Sequence, residues 1–493
     1  MSPMPDAPQP DAPQPDADVI VIGAGPAGMA ASVDLARAGL RVIVLDMQPA
    51  PGGQIFRGLE ANLGAGLSAQ PLLAALGPAY AAGETLIKAF RKTPGIDFRP
   101  GHTVWELRRD GTVGWLRGAQ AGYLRAPHVV LANGAMERPV PFPGWTLPGV
   151  MTAGAVQTLL KAGRLGPEGR VVIAGTGPLV FLLADQLRRL GVRIGLLART
   201  DRLRDQIAAL PRLHWSTLPA LAKGAGWLAR LHLAGVPMRR GVTGIEALGT
   251  GRVEALRILQ GARVTEVPCD LLVVHDGIVP AIELAQSAGV RIDWDDRLAA
   301  WHPVTSEDGQ ALPAAAPALV DGPCRILMAG DARQIGGAEA AMAQGRHVAA
   351  RLLARGEKES RARVRRLLRP RAFLEAAFPP GLTAGLPGGA TPVCRCEEID
   401  AATLAGLIRL GLRDIDQLRG VSRCGMGPCQ GRHCAVTLAR MIAAETGAPP
   451  VPFHARPPVR PLPLGALAML AGRDPRLTEI VSLDDKPVVA GDV

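Results

Sequence analysis

Aromatic side chains are scarce, at 3% of 493 residues, so a single-stranded nucleic acid finds few faces to stack on. No run of about twenty uncharged apolar residues occurs, which argues against a membrane span. The N-terminus has neither the basic nor the apolar region of a secretory signal. It carries a Pro/Asp repeat, PDAPQPDAPQPDAD, which cannot build a core and is expected to form a disordered tail over residues 1–17. Together these absences point to the cytoplasm. Between residues 18 and 355 the cysteines are Cys269 and Cys324, with no C-x-x-C or C-x4-C pair for dithiol redox chemistry. Both read as buried, inert thiols.

The chain is long enough for about two to four domains, each with a core. Its formal charge is +11, but most arginines are scattered, and only Arg361 to Arg371 is densely basic. An unaccompanied run of this kind reads as a solvated linker helix or a face for an acidic partner, not as a nucleic-acid site.

The most informative stretch is Asp18-Val-Ile-Val-Ile-Gly23-Ala-Gly25-Pro26-Ala27-Gly28. An apolar run suited to a buried parallel strand enters a G-x-G-x-x-G turn, and a helical pattern follows. Gly23 permits the tight turn, Gly25 lets the backbone approach a pyrophosphate, and Gly28 lets helix and strand pack closely. A second strand, Arg41 to Leu45, ends in Asp46, a carboxylate placed for ribose hydroxyls. The unit is expected to bind a dinucleotide. The turn Gly52-Gly53-Gln54 allows the chain to pass close to the cofactor, and strand 126–131 runs into the small-residue turn Ala132-Asn133-Gly134.

A second strand and turn, Val171 to Val180, contains Gly175, Gly177 and Pro178, but Val180 stands where a third glycine is expected. The next strand ends in Ala198-Arg199 instead of a ribose-binding acid. NADP, an adenine nucleotide and an empty structural fold all remain compatible with that pattern. Strand 325–331 ends in Gly330-Asp331, so the first fold is expected to be split, with the second inserted into it. The expected boundaries are 18–165 and 291–355 for the first unit, 166–290 for the second, 356–392 for a linker, 393–446 for a small helical unit and 447–493 for a Pro-rich arm.

These motifs resemble the two-dinucleotide-binding-domain flavoproteins of the glutathione and thioredoxin reductase type over residues 18–355. The resemblance implies an α/β fold with FAD in the first unit, and Gly330-Asp331 near the ribityl chain and pyrophosphate.

Five of the seven cysteines fall between 394 and 434: Cys394, Cys396, Cys424, Cys429 and Cys434. Four thiolates from C-x-C and C-x4-C can hold a [2Fe–2S] cluster, with nearby glycine amides donating to its sulfurs. Zinc is the rival, although structural zinc sites more often use C-x2–4-C knuckles. His433 reads as a histidine outside the ligand set, since enough thiolates are present. The segment looks like a bacterioferritin-associated-ferredoxin-like domain, and that resemblance assigns Cys394, Cys396, Cys429 and Cys434 as ligands and leaves Cys424 spare.

The whole chain resembles the FAD/[2Fe–2S] subunit of heteromeric amine dehydrogenases: opine oxidases, hydroxyproline dehydrogenase, hydrogen cyanide synthase and the alpha subunit of sarcosine oxidase. The resemblance implies a beta subunit with a D-amino-acid-oxidase-like fold that oxidises a secondary amine or amino acid. In that group an FMN can lie at the subunit interface, and a small [2Fe–2S] gamma subunit can be added. The flavin body offers no obvious acid–base pair for amine oxidation. The competing expectation is a self-contained NAD(P)H-dependent reductase feeding electrons through FAD and the cluster to an external acceptor.

Overall fold

The structure, a computed structural model, describes residues 14–314, 324–382 and 385–470. Val19–Ile22 is buried along its whole length, as a strand with no polar side chain must be, and a parallel sheet covered on both faces meets that demand. It pairs with Val42–Asp46 on one side and His128–Leu131 on the other. Ile96–Pro100 and Arg325–Met328 form the two edges of this five-stranded parallel sheet. Arg325–Met328 returns only after the second nucleotide fold is complete, so the second unit is inserted in the first.

Helix Pro26–Arg37 starts with proline at its first turn, where the missing N–H costs no hydrogen bond. Small residues bring it to backbone contact with helix Ala338–Leu352. A Cβ at Gly345 would lie 2.1 Å from the Ala27 carbonyl oxygen. An antiparallel sheet of Thr103–Leu107, Thr112–Arg117 and Gln120–Arg125 lies in the crossover before His128–Leu131.

The second unit repeats the plan. Arg170–Gly175 is flanked by Arg193–Arg199 and Leu271–His275, with Met238–Arg240 and Val150–Thr152 at the edges, all parallel. Its first strand thus begins at Val150 instead of after residue 165, because Val150–Thr152 pairs with Leu271–His275. A two-stranded ribbon, Ala135–Glu137 with Ile278–Pro280, joins the units.

Two other expectations change. The N-terminal tail is shorter than 17 residues: Asp16 exchanges hydrogen bonds with Arg125, and Ala17 is fully buried. Residues 1–13 lie outside the described residues. The basic linker is a 21-residue helix, Glu357–Ala377, packed on the body through Val364, Phe373 and Ala377. Arg361 and Arg365 on it meet Glu307 and Asp308, so part of the basic run is neutralised within the chain.

The cysteine-rich unit is a ribbon, Pro392–Cys394 with Ile399–Asp400, followed by helices Ala401–Arg409, Ile415–Ser422 and Ala435–Thr446. Asp400 and Asp414 cap the first two helices through backbone N–H groups. The following segment buries Phe453 and Val459. Among the described residues no helix is long and apolar enough to cross a membrane.

Candidate functional site

The C-terminal edge of the first sheet opens into a cavity of about 490 Å³. Gly23, Gly25, Pro26, Ala27, Asp46, Gly53, Gln54, Asn133, Gly134, Gly330 and Asp331 all line it. Gly28 lies just beneath, where its hydrogen sits against the turn; a Cβ there would be 1.8 Å from the Gly23 carbonyl oxygen. Gly53 has φ of +60°, and a Cβ on it would come within 2.9 Å of the Gly25 Cα. The glycines therefore bring two backbones to the cavity wall with no side chain between them.

Asp46 accepts hydrogen bonds from the Ala24 and Gln48 amides at 2.6 and 2.7 Å. Burial nevertheless raises its pKa, a cost that hydrogen-bond donors on a ligand would offset. Gln54 donates to the Ala135 carbonyl at 2.7 Å, and Asn133 donates to that of Ala281 at 2.9 Å. Asp331 accepts from the Gly336 amide at 2.9 Å. Asn133 Oδ1 and Arg57 Nε, both on residues lining the cavity, are buried without a partner. Orphaned polar atoms on an open cleft with a glycine-lined floor fit a dinucleotide.

The second sheet presents a different edge. Gly175 has φ of +142°, and a Cβ on it would lie 1.7 Å from the His275 carbonyl oxygen, so this glycine serves strand contact. Gly177 and Pro178 begin helix Pro178–Arg189. Arg199 is engaged: it grips Asp201 with two hydrogen bonds at 3.0 and 2.7 Å and stacks over Phe181. The stretch after helix Glu357–Ala377 crosses this edge. Phe378 meets Phe181, the Gly381 and Leu382 amides donate to Asp276 Oδ1 at 2.8 and 3.0 Å, and a Cβ on Gly381 would lie 2.4 Å from Thr200 Oγ1. Thr176, Thr200 and Asp276 are buried. The chain itself lies over the ends of the strands where a nucleotide would cross.

In the C-terminal unit the Sγ atoms of Cys394, Cys424 and Cys434 lie within 4.8 Å of one another, all buried. Cys396 is hydrogen-bonded by Cys429 beside them. Hydrogen bonds from Cys424 and Cys434 hold the Cys394 thiol far below the usual range, and the same contact pushes Cys424 up to about 12. The group shares protons where a cation would take their place. Cys424, set aside on the sequence, is thus one of the three closest sulfurs. Gly425 and Gly431 lie against the Phe453 ring, with a Cβ on either at 2.6–2.7 Å from it, so the arm closes over the cysteine loop.

Sequence motifs did not reveal what joins the two sites. Arg432, next to the loop, pairs with Glu283 at 3.2 Å and donates to the carbonyls of Cys429 and Val459. Both Arg432 and Glu283 line the dinucleotide cavity and also a second cavity, of about 590 Å³, under the arm. Arg419, Arg456, His454 and Trp301 line the second cavity as well. Nor did they reveal the Glu137–His275 pair at 2.5 Å or the buried Lys161, which sit on isolated positions with no motif spacing.

The fold and glycine-lined cleft define a two-nucleotide-fold flavin oxidoreductase. The family model described as pyridine nucleotide-disulphide oxidoreductase matches residues 17–308, and one described as sarcosine oxidase A3 domain matches residues 393–473. An opine oxidase subunit from Agrobacterium tumefaciens is 38% identical, over 93% of this chain and 94% of that one. The hydrogen cyanide synthase subunit HcnB of Pseudomonas aeruginosa is 31% identical, over 92% of this chain and 98% of that one. Among solved structures, L-proline dehydrogenase from P. horikoshii superposes with a TM-score of 0.65 at 19% identity, covering 92% of this chain and 79% of that one. The chain belongs to the pyridine nucleotide-disulphide oxidoreductase family and, within it, to the group formed by this opine oxidase subunit and HcnB.

Proposed function

We propose that this chain is the electron-transferring subunit of a heteromeric dehydrogenase that oxidises a secondary amine or amino acid of the opine, hydroxyproline, sarcosine or glycine class. FAD in the first cleft supplies two-electron chemistry and a [2Fe–2S] cluster single-electron transfer. Gly23, Gly25, Gly28 and Gly53 form the floor for the pyrophosphate, Asp46 receives the ribose hydroxyls, and Asn133, Gly134, Gly330 and Asp331 line the flavin end. Cys394, Cys396, Cys429 and Cys434 would hold the cluster, with Cys424 beside Cys394 and Cys434.

The substrate site belongs to a beta subunit of D-amino-acid-oxidase-like fold. The cavity under the arm, with three arginines on its wall, suits the phosphate of an FMN at that interface. A small [2Fe–2S] gamma subunit completes some such assemblies, and the cytoplasm is the expected location.

The observation that carries this reading is the Arg432–Glu283 link between the cleft and the cysteine loop, with the second nucleotide edge covered by residues 378–382. That covering favours electrons arriving from a partner over entry from NAD(P)H. The test is anaerobic purification with natural partners, cofactor identification by mass and absorbance, and dye reduction by candidate amines. Copurified flavoprotein, FAD, iron and amine-dependent reduction support the reading. Flavin bleaching of the isolated chain by NADPH supports the reductase alternative, and stoichiometric zinc in a colourless protein supports a scaffold.

A further inference from the structure

Lys161 is an anomaly in the dinucleotide cleft. It lies in a wide π-type turn, Leu159–Gly163, and its side chain is 7% exposed. Such turns often mark functional positions, because they re-aim one side chain at the expense of a regular helical hydrogen bond. Its own backbone is fixed, since the Asn62 amide donates to the Lys161 carbonyl at 2.8 Å. Nζ donates to the Gln54 carbonyl at 3.3 Å and to Gln157 Oε1 at 3.2 Å, and it lies 5.8 Å from the centre of the Tyr80 ring.

Every one of these partners is neutral. An ammonium has three donors, so one remains, and the residue lines the cavity. Among the described residues no carboxylate pairs with it. Glu137, also on the cavity wall, is occupied by His275 and the Gly154 amide. Burial and the neighbouring Arg57 push the amine down to about 8, with no opposing anion. A buried cation with no anion beside it is costly unless a ligand brings the compensating charge.

The position of Lys161 narrows what that ligand is. Pyrophosphate charge is already met by the Gly23–Gly28 turn and the N-terminus of helix Pro26–Arg37. Lys161 is held instead by Gln54 and Gln157, on the side of the cleft where Gln54 reaches Ala135, just past Asn133-Gly134. We propose that Lys161 is a positioning residue that sets the readiness of the bound flavin to accept electrons, by stabilising the negative charge its ring gains on reduction. The proposal rests on FAD binding in this cleft. In the balanced step, two electrons drawn from the amine at the partner's substrate site reach the ring, which takes one proton from solvent and keeps one negative charge delocalised on the ring. An ammonium beside the ring lowers the energy of that form more than that of the oxidised, neutral one.

Sulfite provides a readout independent of turnover. Its sulfur lone pair forms a bond to the flavin N5, and the ring acquires the same negative charge. The FAD-loaded chain with its natural partners is titrated with sulfite, and its flavin midpoint potential is measured against reference dyes under dithionite. Lys161→Met is expected to weaken sulfite binding at least tenfold and to lower the potential correspondingly, about 30 mV per tenfold for a two-electron couple. Lys161→Arg is expected to preserve both within threefold.

Unchanged sulfite affinity and potential in Lys161→Met with FAD bound overturn the proposal. So does a folded Lys161→Met or Lys161→Gln variant that cannot retain FAD, which assigns the lysine to holding phosphate. Failure of both neutral variants to fold overturns it too, since the lysine is then structural. A wild-type protein that binds no FAD defeats the proposed function itself and is scored before any variant is made.

Discussion

Arg138 ties the dinucleotide unit to the inserted unit, and its removal has a calculable consequence. Its guanidinium is 2% exposed and donates to three backbone carbonyls: Asp276 at 3.1 Å, Ala299 at 2.7 Å, and Leu298. Hydrogen bonds from a charged donor contribute about 2 kcal/mol each, or roughly 6 kcal/mol for the set. Against this stands burial, which lowers the Arg138 pKa from 12.5 to about 10, equivalent to about 3 kcal/mol. Arg138→Met keeps the apolar stem but strands the buried carbonyl of Asp276 and the half-buried carbonyls of Leu298 and Ala299, so the ribbon joining the units should lose about 3 kcal/mol of local stability. That corresponds to roughly a hundredfold fall in hydrogen-exchange protection. The measurement is exchange of peptides covering residues 135–138 and 277–280, where the Arg138 amide donates to the Gly277 carbonyl. Peptides of the far strand 96–100 serve as the control. Protection within threefold of wild type at the ribbon would refute the reasoning, because the three carbonyls would then have found other donors.

Gly28→Ala drives a methyl group into the Gly23 carbonyl oxygen at 1.8 Å, so the turn must open, and FAD affinity is expected to fall at least a hundredfold in fluorescence titrations while the second unit stays folded. Asp46→Ala removes the acceptor of two backbone amides and is expected to weaken FAD binding about tenfold to a hundredfold by the same titration. Cys396→Ser or Cys429→Ser should abolish the cluster signal in visible circular dichroism and the iron content while FAD remains; Cys424→Ser should retain both, and equal iron loss in all three overturns the ligand assignment. His347 is fully buried against Ser360, and burial lowers its pKa below 6.5. The unfolded chain therefore binds the proton first, and stability contributed by the neutral ring is lost as pH falls below about 6.5. His347→Gln should flatten that limb of a melting-temperature profile between pH 7 and 5.

The parts of the fold readable from the sequence are those where one residue type has one structural use. Val19–Ile22 has no polar atom to place, so it must lie inside a sheet, and Gly28 tolerates no Cβ, so the turn could be located without coordinates. Arg199 shows the limit. Its place at the end of a strand leaves NADP, an adenine nucleotide and an empty fold open, yet Asp201, two residues on, takes the guanidinium, and only side-chain geometry reveals that pairing. Lys161 was invisible for another reason, since a lone lysine in an amphipathic stretch carries no spacing signal; what singles it out is its burial with no carboxylate paired to it among the described residues. The grouping of Cys424 with Cys394 and Cys434 was likewise hidden, because residues 424, 429 and 434 repeat the same interval and the interval alone does not rank them.

The covered edge of the second nucleotide fold gives that fold a use even without a ligand. Asp276 is fully buried at the end of its strand, and its carbonyl holds Arg138 of the first unit while its carboxylate holds the amides of Gly381 and Leu382. Arg440, on the last helix of the cysteine-rich unit, is drawn to the same acid. One residue, through its carbonyl and its carboxylate, thus ties together the first unit, the linker and the last helix of the cysteine-rich unit at the end of the second sheet. The strand ends of a Rossmann sheet present inward-turned amides and a helix N-terminus, which bind whatever acceptor is placed there. Here the acceptors and donors come from the chain, and the cysteine loop separately meets the wall of the dinucleotide cleft through Arg432 and Glu283. In the proposed relay between flavin and cluster, a fixed separation matters more than a second soluble cofactor, and a strand edge covered by the chain itself serves that need.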